Sequence, residues 1–376
     1  MSDKINYYQI PDKYWFRIHF VRPRFKSNIE NVLLYMANEC CRIPQCSCSE
    51  YNQKYLNAIK MFPGNIGMTK KTLDNWRTEI PALFGFYKEN KDADITETSQ
   101  MAVFLHENQD LTQFLRLFLY SFQFPGGHMK AVDVKDIIYN NIRFKPARTI
   151  IQVLLAGNII LSEQDSSKEM SMSAEEATYC IFNDIRVTSG DVSANEIAQT
   201  ILNNRKNKVK YYNPKDIKIR SLTGSPRTKG DVTRYAKDIL DYMEIANLLT
   251  TTNGYYYLKG NEVAAIQKFR DDKTWFNGYN SFYGKKNIET MELTKIEPEW
   301  FEYVNNSMKP DLFKTDVQAI FGQTGAIDVV IDDRIKEVVS SDDRTMKDIG
   351  NLGEAMICGH EKMRLKVNGY QEFVRL

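Results

Sequence analysis

The stretch from 231 to 258 constrains the fold most tightly. Val232, Tyr235, Ala236, Ile239, Leu240, Met243 and Ala246 recur at spacings of three and four, the pattern of a helix with one apolar face. The helix must end abruptly, because strand-forming Leu248-Leu249-Thr250 and Tyr255-Tyr256-Tyr257-Leu258 follow, separated by Asn253-Gly254. Asn-Gly between two such runs is a specific hairpin signal, since both central residues of the turn need positive φ. Earlier helix starts are also marked. Ser173 with Glu176 and Ser193 with Glu196 each have the spacing of a capping box, the second opening a helix over 194–204. Capped helices, then an amphipathic helix, then a tight hairpin is the order of a winged helix-turn-helix.

The first hundred residues repeat that order. Helical runs are predicted over 29–39 and 50–61, the second ending at Pro63-Gly64. Thr69 caps a helix over 70–80 with Leu73, Trp76 and Ile80 as its buried stripe, and Pro81 is expected to stop it. Residues 83–87 then read as a strand, with a charged turn over 88–94. Between the two units, LTQFLRLFLYSFQFPGG (111–127) is apolar nearly all round, which means a buried helix, and 149–156 is a further core helix. The expected fold is mainly α with small β-hairpins (α+β), as tandem winged helix-turn-helix subdomains joined by a helical core. The expected divisions are a first winged-helix subdomain with an N-terminal arm over 1–110 and a connecting region over 111–170. A second winged-helix subdomain over 171–268 follows, then a linker and helical region over 269–345, with a short helix over 296–306, and the start of a further domain over 346–376.

Charge points to the partner. The 376-residue chain has a net charge of only +2, so a surface for nucleic acid must be one-sided. A lone helix prefers acids at its start and bases at its end. The helix over 70–80 opens instead with Lys70 and Lys71. The helix over 231–247 has Lys229, Arg234 and Lys237 first and Asp238, Asp241 and Glu244 after them. Each misplaced charge costs roughly a few tenths of a kcal/mol, which a DNA duplex met by the helix N-terminus would offset. Candidate base-reading residues are therefore Lys70, Lys71, Asn75 and Arg77 in the first unit, and Arg227, Thr228, Lys229 and Arg234 in the second.

From Arg205 to Lys229 there are nine Lys or Arg and a single acid, Asp216. A solvated loop explains such polarity but not the bias, so a path along phosphates is expected. The candidate backbone contacts are Lys206, Lys208, Lys210, Lys218, Arg220 and Lys237, with Arg22, Arg24 and Lys26 as an arm. The expected partner is double-stranded DNA carrying a short specific sequence, with no membrane and no small-molecule cofactor.

Other chemistries find no footing. No apolar run approaches the roughly 20 residues of a membrane helix, and the N-terminus has no signal-peptide core, so the cytoplasm is expected. Cys40, Cys41, Cys46 and Cys48 do not have the C-x2-C knuckle spacing, and no metal is assigned to them. There is no P-loop, no Gly-rich dinucleotide turn and no Ser/His/Asp set.

TKKTLDNWRTEI (69–80), FLYSFQFPGG (118–127), IIQVLLAGN (150–158) and DYMEIANLL (241–249), taken in this order, resemble the recognition half of BpuJI-type restriction endonucleases. The spacing around SFQFPGG is also similar to AlwI-type enzymes. Near the C-terminus, Gly350–Glu354 followed by HEKMRL (360–365) resembles the opening helix of a PD-(D/E)XK nuclease. The resemblance implies an N-terminal part that reads a short asymmetric sequence and a C-terminal, magnesium-dependent nuclease that hydrolyses DNA phosphodiesters. Glu354 matches the acid of that first helix, but the later acid and E-x-K pair have no counterpart here. The expectation is a type II restriction endonuclease cut short in its nuclease domain, with no complete catalytic site and inactive by itself. Magnesium would serve the missing domain and not DNA binding. The alternatives are a non-catalytic winged-helix DNA-binding regulator and a winged-helix protein-interaction module.

Overall fold

A computed structural model describes residues 6–19, 29–163, 168–211 and 229–313, without the side chains of 229–232, 310 and 311. The described residues all belong to one compact unit. The architecture is mainly helical with two small antiparallel sheets. No described helix is long and apolar enough to cross a membrane.

The chain opens with α1 (Ile29–Arg42), α2 (Cys48–Met61) and α3 (Lys70–Phe84), then the hairpin β1 (Tyr87–Asn90) and β2 (Ile95–Thr98), then α4 (Gln100–Asn108). Ser47 and Thr69 cap α2 and α3 by accepting from the backbone N–H of Glu50 and Thr72. Leu73, Trp76 and Ile80 are buried, as their spacing predicts. Pro81, however, does not stop α3. The helix runs one turn further to Gly85, because Leu83 and Phe84 bury there at 4% and 0% exposure. Burial of two large side chains outweighs the one intrahelical hydrogen bond that a proline removes. The strand expected over 83–87 therefore begins only at Tyr87.

The middle of the chain forms α5 (Leu111–Ser121), α6 (Ala131–Tyr139) and α7 (Pro146–Ser162). α5 is buried along most of its length, as its all-round apolarity implies. Next come β3 (Ser171–Ser173), α8 (Ala174–Ala177), a π-helical turn over Thr178–Phe182, α9 (Ile185–Thr188) and α10 (Ala194–Lys206). Both predicted capping boxes are complete, with Glu176 and Glu196 each accepting from the N–H of its own capping serine. Then α11 (Lys229–Ile245) leads into β4 (Leu249–Thr252) and β5 (Tyr255–Leu258). The sheet order is β3-β5-β4, and Asn253 and Gly254 take φ of 52° and 78° at the hairpin turn.

The segment from 263 to 313 is built into the core. It carries α12 (Val263–Arg270), α13 (Thr290–Thr294) and α14 (Glu297–Asn306). Phe276 and Gln123 exchange hydrogen bonds, N–H to Oε1 at 2.8 Å and Nε2 to carbonyl at 3.3 Å. Lys145 and Asp272 form a buried ion pair that reaches back to the start of α7. Trp300 lies so close to Gly127 that a Cβ there would stand 2.7 Å from the indole side chain. The FPGG turn is thus a bearing surface for a tryptophan more than 170 residues further along the chain.

Two contacts fix α11 against the first half of the chain. Phe84, at the end of α3, meets Phe118 and Tyr242 with ring centroids 4.8 and 5.9 Å away. At the C-terminus of α11, Thr112 Oγ1 donates to the Ile245 carbonyl (3.1 Å) and Arg116 Nε to that of Ala246 (2.8 Å). A cation among the last carbonyls of a helix also complements its dipole. Arg116 is itself held by Glu262 at 2.9 Å.

Candidate functional site

The polar side of α3 and the half-buried first turns of α11 open onto one groove of about 1380 Å³. Lys71, Asn75 and Arg77 line it from α3, and Arg234 and Tyr235 from α11. The start of α6, the turn after β1 and the α13–α14 segment complete its walls. Helical spacing explains the α3 side: with Leu73, Trp76 and Ile80 committed to the core, Lys71 and Asn75 must face outward. Lys70 is also exposed, at the first position of the helix.

Arg77 is only half exposed, and its Nη1 donates to Asn52 Oδ1 on α2 at 2.5 Å. Asn52 in turn donates to the Cys48 carbonyl (2.7 Å) and to Glu89 on β1 (3.3 Å). Arg77 therefore ties α3 to α2 while forming part of the groove wall. Arg234 lies over the Tyr235 ring at 5.0 Å, and His19 reaches the Tyr235 hydroxyl at 3.2 Å. Arg234 Nη2 also donates to the Tyr235 hydroxyl at 3.3 Å, so the ring and its hydroxyl together orient the guanidinium.

The groove is not uniformly basic. Glu79, Glu89, Asp92, Asp133 and Glu297 line it beside its lysines and arginines. The groove therefore offers acceptors as well as donors: its carboxylates accept hydrogen bonds, while Lys and Arg donate and Asn does both. Bulk positive charge lies elsewhere. Lys206, Lys208 and Lys210 are exposed at the end of α10, and Lys210 is pinned by backbone hydrogen bonds to Asn6 and Tyr8 at 2.9 and 2.8 Å.

Arg205, one of the nine bases between Arg205 and Lys229, has an internal role. It donates to both Glu176 oxygens (2.7 and 2.8 Å) and to the Ser171 carbonyl (2.8 Å). The acidic half of α11 also has partners within the protein. Asp241 accepts from Lys237 (2.7 Å) and from the Tyr256 hydroxyl on β5 (2.6 Å). Part of the inverted charge order in α11 is thus explained by its own hairpin. Arg22, Arg24, Lys26, Lys218, Arg220, Arg227, Thr228 and Glu354 fall outside the described residues, and only the backbone of Lys229 is described. Lys130 and Lys295 line the groove although nothing in their sequence context singles them out.

Among the described residues no group of three or more His, Cys, Asp or Glu side chains is arranged to hold a metal ion. Cys40 is fully buried, and burial pushes its thiol up to about 12.

Comparison with known proteins agrees with the resemblance read from the sequence. No curated protein matches the chain. A solved structure described as "Crystal structure of pyrene- and phenanthrene-modified DNA in complex with the BpuJ1 endonuclease binding domain" matches with a TM-score of 0.64 at 22% identity, covering 79% of this chain and 100% of that one. At that identity the likeness concerns the fold. The family described as the N-terminal part of restriction endonuclease BpuJI matches residues 8–301, well over half of the sequence. The nuclease-like motif over 350–365 lies beyond that match. The chain belongs to the BpuJI N-terminal family.

Proposed function

We propose that this chain recognises a short specific sequence in double-stranded DNA, as the targeting part of a type II restriction endonuclease. The observation that carries the reading is the single groove lined by Lys71, Asn75 and Arg77 of α3 together with Arg234 of α11. Two helices that each follow a helix and precede a hairpin present hydrogen-bonding side chains to one space, as two winged helices reading one duplex would. The β3-β5-β4 order supports a winged-helix reading of the second unit. The structural neighbour is a DNA complex by its own description.

The division of labour follows from the charges. Lys70, Lys71, Asn75 and Arg234 read bases, and Arg77, in the groove wall, braces α3 against α2. Lys206, Lys208 and Lys210 hold phosphates outside the groove. None of these contacts uses a metal, so binding proceeds equally with magnesium or with a chelator present. The test is selection of duplexes from a random pool by the full chain. Enrichment of one short motif is the expected result. A pool that stays random after repeated selection, or a chain that retains no duplex at all, would overturn the reading.

A further inference from the structure

Two walls of the groove come from the helices with inverted charge order. The third is made by α6 and α13, which pack against each other. Val134 and Leu293 face inward at 1% and 2% exposure. The Tyr139 hydroxyl donates to the Lys286 carbonyl at 3.2 Å and ties the far end of α6 to the segment that leads into α13. On the outer side stand Lys130, Val132, Met291 and Lys295, all exposed and all lining the groove.

Val132 and Met291 are 61% and 72% exposed. Single apolar residues on a surface need no explanation, but these two share a cavity wall with lysines from the same two elements. The wall faces the space shared by Asn75 and Arg234. Asp133 also lines it, close enough to Lys130 to feel its charge.

We infer that this wall is a sequence-independent clamp on one strand of the bound duplex, an inference that rests on the DNA reading above. Lys130 and Lys295 each meet a phosphate, and Val132 and Met291 pack against deoxyribose between them. A nucleic-acid strand alternates anionic phosphate with largely apolar sugar edges, and this wall carries both complementary types of side chain. Contacts of this kind fix register and carry no sequence information. The groove would then read bases on two walls and grip the backbone on the third.

Full-length wild type is compared with two double variants, Lys130→Gln/Lys295→Gln and Val132→Thr/Met291→Gln. All four positions are exposed, and a thermal melt verifies that each variant folds. The probes are the duplex selected from the random pool and a random-sequence duplex of equal length, each at several salt concentrations. The lysine variant should flatten the slope of log affinity against log salt by about 1.8, two phosphates at about 0.9 each, on both duplexes. The apolar variant should weaken both duplexes by the same factor, about fivefold, with the slope unchanged. An unchanged slope for the lysine variant, full affinity for the apolar one, or losses confined to the selected duplex would each overturn the clamp. Asn75→Ala is measured alongside. If it loses preference while both wall variants bind like wild type, the clamp fails and the DNA reading stands. If wild type binds neither duplex, both fail.

Discussion

At the scale of single residues, Gly127 shows how tightly the shared core is made. A methyl group placed there would stand 2.7 Å from three atoms of Trp300. Overpacking of this kind costs roughly 1–3 kcal/mol. Gly127→Ala should lower the urea midpoint accordingly, and an unchanged midpoint would mean that Trp300 moves aside freely. His128, next to it, is buried against Phe122, Phe124 and Trp300, with ring centroids at 4.6, 5.5 and 5.5 Å. Burial lowers its pKa from 6.5 to about 3. The folded state therefore binds this proton less readily than the unfolded state. The penalty is absent above about pH 6.5 and grows as pH falls toward about 3. At pH 5 it amounts to about 2 kcal/mol. Between pH 7 and pH 5, His128→Gln should lose less stability than wild type in paired denaturant titrations. Equal losses would mean that the imidazole is solvated in the folded state.

Among the elements, the β4–β5 hairpin offers a controlled comparison. Gly254 has φ of 78° in the turn, whereas Gly260 has no positive φ and open space where a Cβ would stand. Gly254→Ala should destabilise by about 1 kcal/mol, while Gly260→Ala should be neutral or slightly stabilising. Thermal unfolding of the two variants checks this, and matching shifts would contradict the turn assignment. The same hairpin shows which parts of the fold were legible in the sequence. Asn253-Gly254, the two capping boxes and the Leu73/Trp76/Ile80 stripe are local signals, and the structure contains each of them. The continuation of α3 through Pro81 was not legible, because burial of Leu83 and Phe84 decides it from outside the helix. The role of Arg205 was hidden for the same reason: its partner Glu176 lies 29 positions away.

On the scale of the whole molecule, long-range contacts define both the core and the groove. Phe276, Trp300 and Phe313 look like scattered aromatics in a polar stretch, yet each is buried at 7% exposure or less. The groove has the same origin. The sequence pointed to Lys71, Asn75, Arg77 and Arg234, but only packing brings α6 and α13 alongside them. Near-neutral net charge and a groove of mixed sign put much of the salt dependence of binding on exposed lysines outside it, beside that of Lys130 and Lys295. Changing Lys206, Lys208 and Lys210 to Gln should therefore flatten the salt slope by up to about 2.7, at about 0.9 per phosphate, on selected and random duplexes alike. A parental slope would remove this segment from the backbone contacts.

The most direct test of the central claim, that α3 and α11 read one DNA site together, is the ratio of affinities for the selected and the random duplex. It is measured for wild type, Asn75→Ala and Arg234→Ala at fixed salt. Each substitution should cost about 1–3 kcal/mol on the selected duplex and much less on the random one, narrowing the ratio by roughly fivefold to 150-fold. If either variant keeps the full wild-type ratio, its helix does not read the site, and the account of a shared reading groove is contradicted.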